Sequence, residues 1–183
     1  MKKSKYIILG LILIVISIGI FIGLDLLKPK EEPVSGVFAI NGLLYKDESK
    51  KPFTGTVRDT VANNIMEYDV VNGKKFGRFR LYTDGDHLSI AGEIENNKNC
   101  GEWVYYYTSG NIESKGAFKE DTIIGKWTWY YENGKIKEEG YYRNGERDGK
   151  WITFDENGII KSQLTFEKGK PISEIRTERF VTT

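Results

Sequence analysis

Large apolar residues fall in fixed columns between residues 77 and 172, separated by polar turns, and the columns return every 24 residues. Gly77, Gly101, Gly125 and Gly149 lead the copies, and two residues after each sits a large aromatic: Phe79, Trp103, Trp127 and Trp151. Five residues after each lead glycine stand Tyr82, Tyr106, Tyr130 and Phe154. Further columns hold Leu88, Ile112, Ile136 and Ile160, and then Ile94, Phe118, Tyr142 and Phe166. Such a period marks one supersecondary unit copied and stacked.

The copy at residues 125–148 shows what the unit is. Trp127 to Tyr131 is β-branched and aromatic, which suits a half-buried strand. Glu132-Asn133-Gly134-Lys135 follows, and Asn-Gly takes the positive φ angles of a tight hairpin turn. Ile136 to Arg143 reads as the return strand, and Asn144-Gly145-Glu146-Arg147-Asp148 as a second polar turn. The expected fold is therefore all-β, an elongated single-layer antiparallel sheet of repeated hairpins. The copies run over residues 55–76, 77–100, 101–124, 125–148 and 149–172. Each hairpin lengthens the sheet by about 9.6 Å, and five give about 48 Å.

The parity of the columns makes two further predictions. Ile136, Gly140 and Tyr142 share parity, which puts them on one face of the return strand. Gly92, Gly116 and Gly140 occupy one column that breaks to Leu164, and they leave room for bulky neighbours, the tryptophans. Trp127 and Tyr130 have opposite parity, so either both faces carry aromatics or a bulge intervenes. The first copy is two residues short, Gly55 to Gly77, and residues 36–51 read as a lead-in hairpin. From Ser173 onward the pattern is lost, as at the capped ends of repeat arrays.

Ahead of the repeats, Tyr6 to Leu27 is almost purely apolar and follows Lys2, Lys3 and Lys5. A helix of that length spans a bilayer core of about 30 Å. Residues 1–27 are thus expected to form a cytoplasmic stub and an uncleaved transmembrane signal-anchor, with the repeats outside the membrane by the positive-inside rule. A cleaved signal peptide is the alternative; the run exceeds the usual apolar segment and lacks a small-residue cleavage site. Residues 28–35 form a charged, proline-bearing linker, and residues 36–183 the repeat domain. Gly19 and Gly23 offer a GxxxG surface for helix pairing.

Charge and chemistry then narrow the function. Residues 26–183 hold 24 basic and 25 acidic side chains, a balance that argues against nucleic-acid binding. His87 is the one histidine and Cys100 the one cysteine, so no intrachain disulfide forms and a zinc site lacks ligands. His87 reads as a solvated turn residue and Cys100 as an inter-hairpin turn residue. Asp84-Gly85-Asp86 lacks the spacing of a calcium loop and reads as a turn. Glu138-Glu139 and Asp155-Glu156 read as solubility charges, and no phosphate-binding glycine loop is present. No catalytic, metal or cofactor site is expected. The candidate binding surface is aromatic: Trp103, Tyr105, Tyr107, Trp127, Trp129, Tyr131 and Trp151. These rings serve either as the core of a thin sheet or as a ladder for a ligand.

Gly125, Trp127, Tyr130, Tyr131, Gly134, Gly140, Tyr142, Gly145 and Gly149 resemble the bacterial MORN-repeat variant. Leu44-Tyr45 followed by Lys51-Pro52-Phe53-Thr54-Gly55 resembles the start of the YwqK-type, antitoxin-labelled family. The resemblance implies a MORN-like hairpin array used in binding or membrane-associated scaffolding, and the antitoxin label implies a toxin partner. A second resemblance, to cell-wall-binding repeats with a Gly-x-Trp-Tyr-Tyr core, implies a glycan ligand. Those repeats are shorter and place a tryptophan where this chain has Glu139-Gly140-Tyr141. The expectation is a membrane-anchored, non-enzymatic interaction module whose partner is a protein, a toxin among the possibilities, or a cell-wall glycan.

Overall fold

The computed structural model describes residues 33–46 and 51–176. The transmembrane helix expected within residues 1–27 lies outside them. Thirteen strands form two sheets among the described residues. Strands β1 (Phe38–Ile40) and β2 (Leu43–Tyr45) make a small antiparallel pair. The other eleven, in unbroken chain order, form one antiparallel sheet. They are β3 (Gly55–Val61), β4 (Asn64–Val71), β5 (Lys74–Thr83), β6 (His87–Glu95), β7 (Lys98–Tyr106), β8 (Ile112–Lys119), β9 (Thr122–Tyr130), β10 (Ile136–Arg143), β11 (Glu146–Phe154), β12 (Ile160–Glu167) and β13 (Lys170–Arg176).

Two kinds of turn alternate, and they differ from the expected assignment. The tight two-residue turns lie between repeats. Asn144 and Gly145 both have positive φ, 51° and 84°, the mirror-image turn whose twist matches its strands. Strand β11 therefore begins at Glu146, and the polar run expected as turn through Asp148 is already strand. The outer turn within the repeat is wider. Only Gly134 is left-handed there, and Tyr131 and Lys135 close the loop through a 2.8 Å backbone hydrogen bond.

Four return strands, β6, β8, β10 and β12, each carry one extra residue just past this outer turn. Tyr130 pairs with Ile136 and Trp129 with Glu138, so Lys137 bulges out. Ser89, Glu113 and Lys161 occupy the same place in the other copies. The bulge corrects the parity argument. Ile136 pairs with Tyr130 on the face opposite Gly140 and Tyr142, so the aliphatic column joins the Tyr82, Tyr106, Tyr130 and Phe154 column instead. Of the two alternatives for the aromatics, rings on both faces is the one observed: β9 is regular from Trp127 to Tyr130, and the bulge falls on the return strand at Lys137 instead of between them. The first hairpin explains its own shortness: it turns on Ala62-Asn63 alone, and its register from Gly55↔Val70 to Val61↔Asn64 is unbroken.

A second irregularity sits at each repeat boundary. On β8, Lys115 and Ala117 are two apart, but their partners Thr128 and Ile124 on β9 are four apart. The slack is taken up at Gly125, whose φ is +66°. This is why the lead position is glycine: a side chain would strain the backbone there.

The sheet's ends are finished differently. Val34, at the end of the expected linker, bridges in parallel to Val57 on the outer edge of β3. The β1–β2 pair and Phe53 then pack onto Val57, Tyr68 and Val70, with Val37 and Leu44 contributing. The lead-in is thus a separate small sheet covering one face, and it adds no strand to the array. At the other end the chain past Ile172 has lost the repeat pattern but continues as β13 to Arg176.

Candidate functional site

One row of side chains crosses the main sheet at right angles to the strands. Through paired positions it runs Val57, Tyr68, Phe79 and Gly92, then Trp103 and Gly116, Trp127 and Gly140, Trp151 and Leu164. Large and small residues alternate in its second half because each tryptophan folds across the repeat boundary onto the glycine of the preceding copy. A Cβ built on Gly92, Gly116 or Gly140 would overlap the indole of Trp103, Trp127 or Trp151 respectively. These three glycines have ordinary φ angles, so only space demands them.

The indole N–H groups are used in the same repeating way. Nε1 of Trp103, Trp127 and Trp151 donates to the carbonyl oxygens of Glu93, Ala117 and Tyr141 at 3.2, 3.3 and 3.2 Å. Rings pack edge to face around them: Phe118 on Trp127 at 5.6 Å, Tyr142 on Trp151 at 5.1 Å and Phe166 on Trp151 at 6.0 Å. Each such pair is worth about 0.5–1.5 kcal/mol beyond burial. Exposure of only 5%, 3% and 1% makes Trp103, Trp127 and Trp151 the core of this layer.

The other candidate rings are half-buried. Tyr105 lies 6.2 Å from Trp127, and Trp129 lies 5.8 Å from Trp127 and 5.7 Å from Trp151. Tyr105 and Trp129 both pair with Ser114, itself buried. Tyr107 and Tyr131 sit at the outer turns, where each hydroxyl donates to a carbonyl one repeat on, Tyr130 at 2.6 Å and Phe154 at 2.8 Å. Burial, and then Glu113, Glu132 and Tyr131, push the Tyr107 phenol up. The expected surface therefore divides into three core tryptophans and a half-open strip of Tyr105, Trp129, Tyr107 and Tyr131. Arg147, absent from the expected set, lies 4.0 Å over the Trp151 ring and 3.5 Å from a Glu138 oxygen.

The opposite face is charged. Lys126 and Glu139 pair at 2.8 Å, Arg78 and Asp69 at 2.9 Å, and Arg58 and Glu67 at 3.1 Å. Glu138 and Glu139 thus serve different faces. Burial alone would raise the Asp69 carboxyl, but hydrogen bonds from Arg78 and Thr56 outweigh it and hold the group below its ordinary range.

The residues weighed for chemistry have other employment. His87 is half-buried, with Nε2 2.8 Å from the Tyr107 carbonyl oxygen, where a fully solvated ring was expected. Burial, then Glu95 and Glu93, push the Cys100 thiol up, which disfavours the thiolate. Asp86 accepts from Arg58 at 3.2 Å, and Asp155 accepts from the Asn157 and Ile159 amides at 2.9 Å each. A cavity of about 480 Å³ opens between two outer turns, bordered by Asn111, Ile112, Tyr130, Glu132 and Asn133. The bulge at Glu113 brings Ile112 onto the Tyr130 face, so column parity gives no sign of this cavity.

The family model of the MORN repeat variant matches the chain three times, at residues 99–120, 124–144 and 147–168. Each match spans one hairpin, β7–β8, β9–β10 or β11–β12. A comparison with curated proteins finds no match. Among solved structures the chain is similar to a mutant of S. aureus TarM in complex with fondaparinux, α-GlcNAc-glycerol and UDP. The identity is 9% and the TM-score 0.32, over 66% of this chain and 21% of that one. The chain spans about a fifth of that protein's length.

Proposed function

We propose that this array, three of whose hairpins match the MORN repeat variant, is a non-enzymatic interaction module. In this reading residues 1–27 anchor it in a membrane and the hairpins face away from the cytoplasm. The observation that carries the reading is the strip beside the core tryptophans. Tyr105 and Trp129 leave ring surface open on a stiff, repeating frame, and half-open aromatics of that kind serve as contact anchors.

The occupant is a protein in preference to a glycan. The core tryptophans have their ring faces buried and their N–H groups engaged in backbone bonds, leaving no ladder of flat, open indoles for sugars. A toxin remains one such protein partner.

Crosslinking of the full-length chain in its native membrane, followed by mass spectrometry, tests the contact. Partners recovered with the parent chain and lost with Trp129→Ala support the proposal; an unchanged set removes the strip from it. Topology is tested separately with Ser109→Cys, at an exposed outer turn, in a Cys100→Ser background. Labelling of intact cells by a membrane-impermeant maleimide is the expected result, and labelling only after lysis overturns the outward orientation.

A further inference from the structure

A second stripe runs along the charged face at its outer rim. Tyr106 pairs with Ile112, Tyr130 with Ile136, and Phe154 with Ile160. The rings are half-buried, while Ile112 and Ile160 are 37% and 43% exposed. Between Ile112 of one repeat and Tyr130 of the next lies the cavity of about 480 Å³, walled by the two outer turns. No hydrogen bond among the described residues engages the hydroxyl of Tyr106 or Tyr130, so both remain free to donate to a ligand carbonyl. Glu132 borders the cavity, and Glu113 follows Ile112 at the bulge.

The period of this stripe selects the shape of its ligand. The Tyr106–Ile112, Tyr130–Ile136 and Phe154–Ile160 pairs follow one another two strands apart, about 9.6 Å. A polyproline II helix rises about 3.1 Å per residue and returns to the same side every three residues, about 9.3 Å. An extended strand returns to the same side after about 6.6 Å, and an α-helix after about 5.4 Å. The first matches this spacing most closely, within about 0.3 Å, whereas two turns of α-helix overshoot it by about 1.2 Å. Aromatic grooves bind such segments because they are preformed and lose little entropy on docking.

We propose that the outer-rim stripe of Tyr106, Ile112, Tyr130, Ile136 and Phe154 is a docking groove for a proline-rich, basic polypeptide segment in the polyproline II conformation. One turn of ligand fills the groove between Ile112 and Tyr130, where Glu113 and Glu132 receive its basic residues; Lys137 takes the place of Glu113 in the next repeat, so the charge preference is confined to this groove. The site lies on the face opposite Trp129, so it stands or falls independently of the contact proposed above.

The test uses purified full-length chain held in detergent and three fluorescent probes. These are a twelve-residue proline peptide flanked by arginines, a Gly/Ser peptide of the same length and flanks, and a chitin hexamer. Saturable binding of the proline peptide alone is expected. Ile112→Glu and Glu132→Arg, both at exposed positions, should each weaken it by roughly tenfold, the equivalent of about 1.4 kcal/mol. Unchanged melting curves will show that the variants fold. Equal binding of the Gly/Ser peptide reduces the site to charge alone and overturns the proposal. So does a preference for the sugar, an absence of binding, or indifference to both substitutions.

Discussion

The indole of Trp127 occupies the space that a side chain would take on Gly116, one strand and one repeat boundary away. This contact couples the third hairpin to the fourth, and its equivalents at Gly92–Trp103 and Gly140–Trp151 couple the others. Repeat arrays gain stability mainly from such neighbour terms. Gly116→Ala should therefore lower stability by about 1–3 kcal/mol, the cost of overpacking a filled site. Urea unfolding followed by tryptophan fluorescence will measure it.

Gly125 is glycine for a different reason, and a pair of substitutions separates the two. Its φ is +66° and a Cβ there would meet nothing within 4 Å. Gly125→Ala should cost about 1–2 kcal/mol through backbone strain, and Gly125→Asn less, because asparagine tolerates the left-handed region. At Gly116 the order reverses, with asparagine worse than alanine. The same denaturation series reads both orders.

Trp151, at 1% exposure, is the most enclosed large side chain described. Trp151→Ala removes its ring contacts with Trp129, Tyr142 and Phe166 and leaves the Tyr141 carbonyl without its donor. The expected loss is about 3–5 kcal/mol. Trp151→Phe should lose less, since a ring still covers Gly140. Calorimetric melting of the two variants gives the comparison.

Acid should act partly through Asp69. Its carboxyl is held below its ordinary value of 3.8 by Arg78 and Thr56, against the opposing effect of burial. A depressed folded-state pKa means the unfolded chain takes up the proton first. The stabilisation is complete above the ordinary carboxylate range and is lost as pH falls below it through the lower folded value. In Asp69→Asn the stability curve should be flatter between about pH 5 and pH 2. A slope identical to that of the parent would remove Asp69 from the acid response.

Much of this architecture was legible because it is periodic. The lead glycines, the tryptophans two residues on and the glycine column were enough to place the hairpins and to foresee that glycine makes room for indole. The break at Leu164 also has its reason: Ser173 and Ile175 stand where a further copy would carry glycine and tryptophan, so nothing needs the space. What parity could not see was an inserted residue. Lys137 leaves no compositional trace, yet it moves Ile136 to the other face and so hides the outer-rim stripe. The turns were confused because Asn-Gly occurs at both Asn133-Gly134 and Asn144-Gly145, and the dipeptide alone does not tell a two-residue loop from a wider one. Arg147 over Trp151 was invisible because a charged side chain beside a turn reads as solvated.

Leu164 also makes growth of the ribbon directional. An added unit inserted between Asp148 and Gly149 would find Gly140 beneath its indole and would present a glycine to Trp151 in turn. The same unit appended after Ile172 would set its indole against Leu164 in place of a glycine. A single branched aliphatic side chain thus makes the last boundary a poorer junction for a further tryptophan-led copy than the glycine boundaries within the array.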